Sequence, residues 1–139
     1  MSKYFSLEVE AEHRHLVVIR RFVTDVMKFG GFGHDELARA ELCINELAEN
    51  VIRYGYGGGK GRIKVKAGFD TGRMLFSITD WGAPFDPQGY VTQDVKDLFE
   101  GEVKGKLGIS AVRRSSDRII YSRLKGKNKI TVYIKRRKE

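Results

Sequence analysis

Glu46 and Asn50 stand four residues apart in the segment Glu46-Leu47-Ala48-Glu49-Asn50. On a helix that spacing brings a carboxylate and an amide onto one face, one turn apart. Such a pair suits a magnesium nucleotide site: the amide oxygen takes one position on a hard cation, and the carboxylate orients or deprotonates an attacking hydroxyl. The same short pattern is common on the solvated stripe of amphipathic helices, so alone it says little. A second group, Asp80-Trp81-Gly82-Ala83-Pro84-Phe85-Asp86-Pro87, follows a run that reads as a strand. A buried carboxylate there accepts a hydrogen bond from an exocyclic amine, and the glycine lets a flat ring approach the backbone. A plain turn after a strand uses the same residue types. The third group, Gly105-Lys106-Leu107-Gly108-Ile109, runs into a predicted helix. Amide donors, helix dipole and a lysine charge make a phosphate cradle, although the Walker order is absent and a flexible helix entry is the simpler account of the glycines taken alone.

The elements that must position these groups follow from periodicity. Phe5, Leu7 and Val9 alternate with polar residues as a half-buried strand does. Leu16 to Met27 repeats at helical spacing up to Gly30-Gly31, and a longer helix begins near His34-Asp35 and ends at the glycine-rich Gly55-Tyr56-Gly57-Gly58-Gly59. Ile63 to Phe69 and Met74 to Ile78 form a hairpin pattern around Asp70-Thr71-Gly72-Arg73. From Trp81 to Lys106 the pattern is lost, which predicts a long functional loop with one helical turn near Asp94 to Phe99. A third helix over Gly108 to Arg113 precedes strands Ile119 to Arg123 and Ile130 to Ile134, joined at Lys125-Gly126-Lys127-Asn128. The order β-α-α-β-β-loop-α-β-β predicts an α+β two-layer sandwich, with helices on one face of a mixed, mostly antiparallel sheet.

Length and composition set the outer limits. The 139 residues, 41% hydrophobic and 32% charged, fit one globular domain spanning 1–139 and argue against disorder or a coiled coil. Cys43 is the only cysteine and His13, His15 and His34 show no ligand spacing, so a protein-bound structural metal is not expected. No apolar run approaches the roughly 18 residues of a membrane helix, and the first residues lack a signal-peptide stretch; the expected location is cytoplasmic. The net charge of +8 is unevenly spread: residues 101–139 hold thirteen basic and three acidic side chains. That end attracts an anion of some kind, whether nucleic acid, an acidic protein or a nucleotide phosphate.

The three groups in this order, with the Asn50-Val51-Ile52-Arg53-Tyr54-Gly55-Tyr56 that continues the first, resemble the N box and two glycine boxes of the GHKL ATPase and kinase superfamily, which has the Bergerat ATP-binding fold. The short single-domain form looks like the anti-sigma-factor serine/threonine protein kinases of bacterial partner-switching systems. The resemblance covers nearly the whole chain. It implies that Glu46 is the general base, that Asn50 holds Mg2+ with the ATP phosphates, and that Arg53 reaches phosphate. It further implies that Asp80 binds the adenine amine, that Gly82 gives the ring room, and that Pro84 and Phe85 complete that box at a stiffer pocket edge. Gly105, Leu107 and Gly108 then belong to an ATP lid of about residues 87–107 and its helix start, and Thr131 resembles the family's threonine near adenine. Lys106 joins this set on its charge. The sequence departs from the family at Pro84, where many relatives have a third glycine, at Tyr54, where anti-sigma kinases often have histidine, and at Lys106, which interrupts a glycine pair.

The resemblance implies ATP-dependent phosphorylation of a STAS-type antagonist protein and sequestration of a sigma factor, by a domain that tends to form homodimers. Two other classes stand beside it. One is a non-catalytic ATP-responsive module in which nucleotide orders the loop and gates a protein partner. The other is a nucleic-acid binder using the basic C-terminal region with Tyr121 and Tyr133. Retention of both Glu46 and Asn50 favours chemistry, since a pure binder needs no base. Lysines alternating along strands are commonly a solvated sheet face.

Overall fold

Ile19, Val23, Val26 and Met27 recur at helical spacing, and all four are buried along one stripe of helix α1, Leu16–Phe29. A 3-10 turn, His13–His15, leads into it. Ala40, Cys43, Ile44, Leu47 and Ala48 form the matching stripe of α2, His34–Asn50. Glu36 anchors the start of α2: its carboxylate accepts from the Gly33 amide at 3.2 Å and from the Arg137 amide at 3.3 Å. One of the helix's first orphan turns is thereby tied to the end of the last strand. Arg20 donates to Asn45 Oδ1 at 2.8 Å and links the two helices on their outer side.

The computed structural model describes residues 3–84 and 104–137. Its strands are β1 Lys3–Glu10, β2 Arg62–Phe69, β3 Arg73–Asp80, β4 Arg118–Leu124 and β5 Lys127–Lys135. They form one sheet in the order β1-β2-β3-β5-β4, and all four pairings are antiparallel, so the parallel pairing that a mixed sheet requires does not occur among the described residues. Ile63, Val65 and Ala67, then Met74, Phe76 and Ile78, then Ile130, Val132 and Ile134 point to one face. That face meets α1 and α2, and a third helix, α3, Lys104–Ser115, packs against α2 and adds Ile109 and Val112 to the same core, as the two-layer α+β sandwich predicts. Phe76 is fully buried, and truncating such a ring to alanine costs about 3–5 kcal/mol.

The connections differ from the sequence reading in three places. α3 begins at Lys104, so the last residues of the expected loop, including Gly105 and Lys106, are helical. β5 begins at Lys127, and the β4–β5 hairpin turns in two residues, Lys125 at φ 53° and Gly126 at φ 76°. This is the doubly positive-φ turn that matches strand twist. The helical run through Val51–Gly55 is a π turn appended to α2. Among the described residues no helix is long and apolar enough to cross a membrane.

Candidate functional site

Asn50 is the last residue of α2, buried, and its Nδ2 atom has no hydrogen-bond partner among the described residues. An unsatisfied buried amide is rare in a settled core and calls for a partner such as a water, an ion or a ligand. The π turn that follows aims the Gly55 carbonyl at the exit of β3, where it accepts from the Ala83 amide at 2.8 Å. A Cβ at Gly82 would overlap that carbonyl. The room made by glycine at 82 is therefore filled by Gly55 backbone, whereas the sequence reading assigned it to a bound ring.

Asp80 closes β3 with its side chain on the helical face, 3% exposed. Oδ1 accepts from the Gly82 amide at 2.9 Å and from Asn128 Nδ2 at 3.0 Å; both bonds recorded among the described residues fall on this oxygen. Asn128, on β5 directly opposite Asp80, also donates to the Ala83 carbonyl at 2.7 Å and accepts from the Tyr121 hydroxyl at 2.7 Å. Tyr56 completes the support, donating to the Arg62 carbonyl at 2.6 Å and accepting from the Trp81 amide at 2.9 Å. Asn50, Gly55, Asp80, Ala83, Pro84 and Asn128 line a cavity of about 220 Å³, with Tyr54 at its rim. That is smaller than the roughly 300–1,000 Å³ of pockets enclosing a drug-sized ligand, and it suits one flat ring system.

The remaining residues singled out from sequence are dispersed around this cavity. Glu46 stands one turn before Asn50 but lines a shallow groove between α1 and α2, with Arg20, Glu41 and Asn45. Burial and the negative charge of Glu49 raise its pKa above the ordinary carboxylate value, against the opposing Arg53 charge. Arg53 itself forms an ion pair with Glu49 one turn before it. Pro84 lines the cavity; Phe85 lies outside the described residues. Gly105, Lys106, Leu107 and Gly108 lie in the first turns of α3, whose side chains before Ile109 are also outside the described set, and residues 87–103 of the lid expected over about 87–107 fall outside it too.

Thr131 does not belong to the cavity. It is paired with Ser77, one row of the sheet in which side chains point away from the helices, while Asp80 pairs with Asn128 on the core side. Thr131 and Asn128 are three residues apart on one strand, an odd offset that puts them on opposite faces. Asn128 and Tyr56 are the members of the site that sequence reasoning missed. Their signal lies in the β3–β5 register and the path of the π turn, neither of which is local in sequence.

No group of three or more His, Cys, Asp or Glu side chains is poised for a metal among the described residues. Mg2+ in nucleotide sites rests on one or two protein oxygens plus phosphates and water, so a single amide, Asn50, fits that requirement.

A family model described as a histidine kinase-like ATPase domain matches residues 9–134. No curated protein matches the chain. Among solved structures, the RsbU and RsbW domains of Rv1364c from Mycobacterium tuberculosis superpose with a TM-score of 0.68 at 16% identity, covering 98% of this chain and 33% of that one. The chain thus spans about a third of that relative's length, and at this identity the likeness concerns the fold. Nearly the whole chain, from the end of β1 to the end of β5, belongs to the histidine kinase-like ATPase domain family.

Proposed function

We propose that this domain binds ATP with Mg2+ in the Asn50–Asp80 cavity and transfers the γ-phosphoryl group to a serine or threonine of a STAS-type antagonist protein, as a cytoplasmic anti-sigma-factor kinase that also sequesters a sigma factor. Family membership supports ATP binding, and the RsbW domain in the structural neighbour supports the kinase type. The observation that carries the reading is the orphaned amide of Asn50 lining the same cavity as the clamped carboxylate of Asp80.

Asp80 receives the adenine amine. With Oδ1 already engaged by Gly82 and Asn128, Oδ2 is the oxygen that accepts from the base. Asn50 would hold the metal through its side-chain oxygen; amide orientation is interchangeable by a half-turn. When bound, Mg2+ neutralises charge on the triphosphate. Glu46 takes the proton of the substrate hydroxyl as its oxygen bonds to the γ-phosphorus and the bond to the bridging oxygen breaks, releasing ADP. Its raised pKa makes it a stronger base than an exposed glutamate, and the groove beside it offers Arg20 and Asn45 to a protein substrate.

The separation of Glu46 from the cavity lining favours, as a second reading, a module that binds ATP without transferring phosphate. Calorimetry with Mg-ATP on the wild type, Asp80→Asn and Asn50→Ala tests the site. Micromolar binding is expected, lost in Asp80→Asn and insensitive to magnesium in Asn50→Ala. Absence of wild-type binding at millimolar nucleotide overturns both readings. Transfer of label from ATP to a STAS protein, lost in Glu46→Gln with ATP binding retained, separates the kinase from the module.

A further inference from the structure

The sheet face turned away from the helices carries a trough of about 610 Å³ unrelated to the nucleotide cavity. Its walls are Lys64 and Lys66 on β2 and Lys127 and Lys129 on β5, with Lys125 at the adjoining turn. Between them runs β3, where Ser77 and Thr79 form a low floor: Thr79 is paired with both Lys64 and Lys129, and Ser77 with Lys66. Lys64, Lys125, Lys127 and Lys129 have no ion pair among the described residues. Glu8, the acidic residue lining this trough, is held by Arg62 at 3.0 Å. Four like charges on one concave surface cost free energy unless an anion answers them. Trp81, 43% exposed, and Leu124, 69% exposed, add apolar area to the same trough.

We propose that this trough docks an acidic amphipathic helix of a partner protein. Two strand spacings separate the lysine walls, about 10 Å at ~4.8 Å per strand. One helix, about 10–12 Å across with its side chains, lies over that floor with the lysine ammonium groups along both flanks. Glutamates on the helix flanks meet the lysine walls, and apolar residues at one end meet Trp81 and Leu124. A single-stranded nucleic acid stacks successive bases on a series of aromatic faces. Among the described residues lining the trough Trp81 is the one aromatic, and the two tyrosines on this sheet face carry cations, Tyr4 under Lys66 at 4.8 Å and Tyr133 under Arg73 at 4.5 Å. A second copy of the chain docked through the same trough would set lysines against lysines.

Trp81 is the only tryptophan in the chain, so its fluorescence reports on this trough directly. The full chain is titrated with a tryptophan-free synthetic helical peptide of about 18 residues, five turns at ~3.6 residues each, carrying glutamates on its flanks and leucines at one end. Parallel titrations use an oligothymidylate and vesicles containing phosphatidylserine. The expected result is a saturable blue shift with the peptide, affinity at least tenfold weaker in Lys64→Glu/Lys129→Glu, and no change in Lys28→Glu on the helical layer. Unaltered circular dichroism of the double variant shows that it is folded; if it is not, Lys64→Gln/Lys129→Gln replaces it. Tighter binding of the oligonucleotide or vesicles, an equal loss in Lys28→Glu, or a peptide that leaves Trp81 unshifted overturns the proposal.

Discussion

Asn128 donates its amide to Oδ1 of Asp80 at 3.0 Å across two strands in register, so the orientation of the candidate adenine-binding carboxylate is set by a residue 48 positions away. The same amide holds the Ala83 carbonyl, and the Tyr121 hydroxyl fixes the amide's own orientation. Asn128→Ala leaves Asp80 and Ala83 short of a donor and costs about 1–3 kcal/mol per buried group left unpaired. Urea unfolding measures that loss. ATP affinity should fall with it, and more steeply in Asn128→Asp, where a second carboxylate faces the first.

Gly82→Ala pushes a methyl group into the Gly55 carbonyl, so the π turn and the β3 exit must separate. We expect loss of nucleotide binding together with a fall in stability of about 1–3 kcal/mol, typical of overpacking. Gly57→Ala provides the contrast. It has open space around it but sits at φ 58°, and the expected cost is about 1 kcal/mol with binding intact. Thermal unfolding and calorimetry on the two variants distinguish crowding from backbone strain.

Glu46→Gln should make the domain more stable at neutral pH while abolishing phosphoryl transfer. Its folded-state pKa is raised by burial. The native state then holds its proton to higher pH than the unfolded chain, and ionising Glu46 destabilises the fold as pH rises through that window. The penalty is fully present above the raised value and relieved below the unfolded one. Tm should therefore differ between wild type and Glu46→Gln at pH 8 and converge near pH 3.

Cys43 should resist thiol reagents in the native protein. Its side chain is fully buried against α3, the Sγ lies 3.8 Å from the Val112 carbonyl, and burial pushes the thiol pKa up to about 12. Only the thiolate reacts appreciably. Labelling by a maleimide at pH 7 should track global unfolding, and fast native-state labelling would contradict this packing.

Arg136→Ala should destabilise the fold by about 1–3 kcal/mol, whatever its effect on binding. The guanidinium donates to the carbonyls of Gly30 at 2.9 Å and Thr71 at 3.0 Å and stacks over Phe32 at 3.9 Å, bolting the end of α1 and the β2–β3 turn to the end of β5. Denaturant titration of the variant checks this.

Arg136 also shows where sequence reading stopped. Within the basic C-terminal region it counted as one charge among thirteen, yet its environment is four loop carbonyls and a ring, none of them near it in sequence. Helices α1 and α2 and the β2–β3 hairpin were legible because apolar spacing and the Asp70 turn are local signals. Asn50 and Asp80 were legible because their boxes are short and ordered along the chain. Thr131 was named by resemblance, and that Asn128 rather than Thr131 shares the helical face with Asp80 depends on the parity of β5, which composition does not report. The outer lysines of β2 and β5 alternate as a solvated face does; only strand order brings Lys64 and Lys129 to opposite sides of Thr79.

The five residues of the π turn give the chain an unusual sensitivity to length. A widened turn accommodates one residue more than the α-helix would over the same axial distance, and everything beyond it is rotated by about 100°, one helical step. Deleting any single residue from Val51 to Tyr54 would let the helix continue in regular form. Asn50 would stay where it is while Gly55 swung away from Ala83. Point substitutions at exposed positions of the turn, such as Tyr54, should be far better tolerated than a one-codon deletion, the reverse of the usual permissiveness of a segment next to a glycine-rich loop.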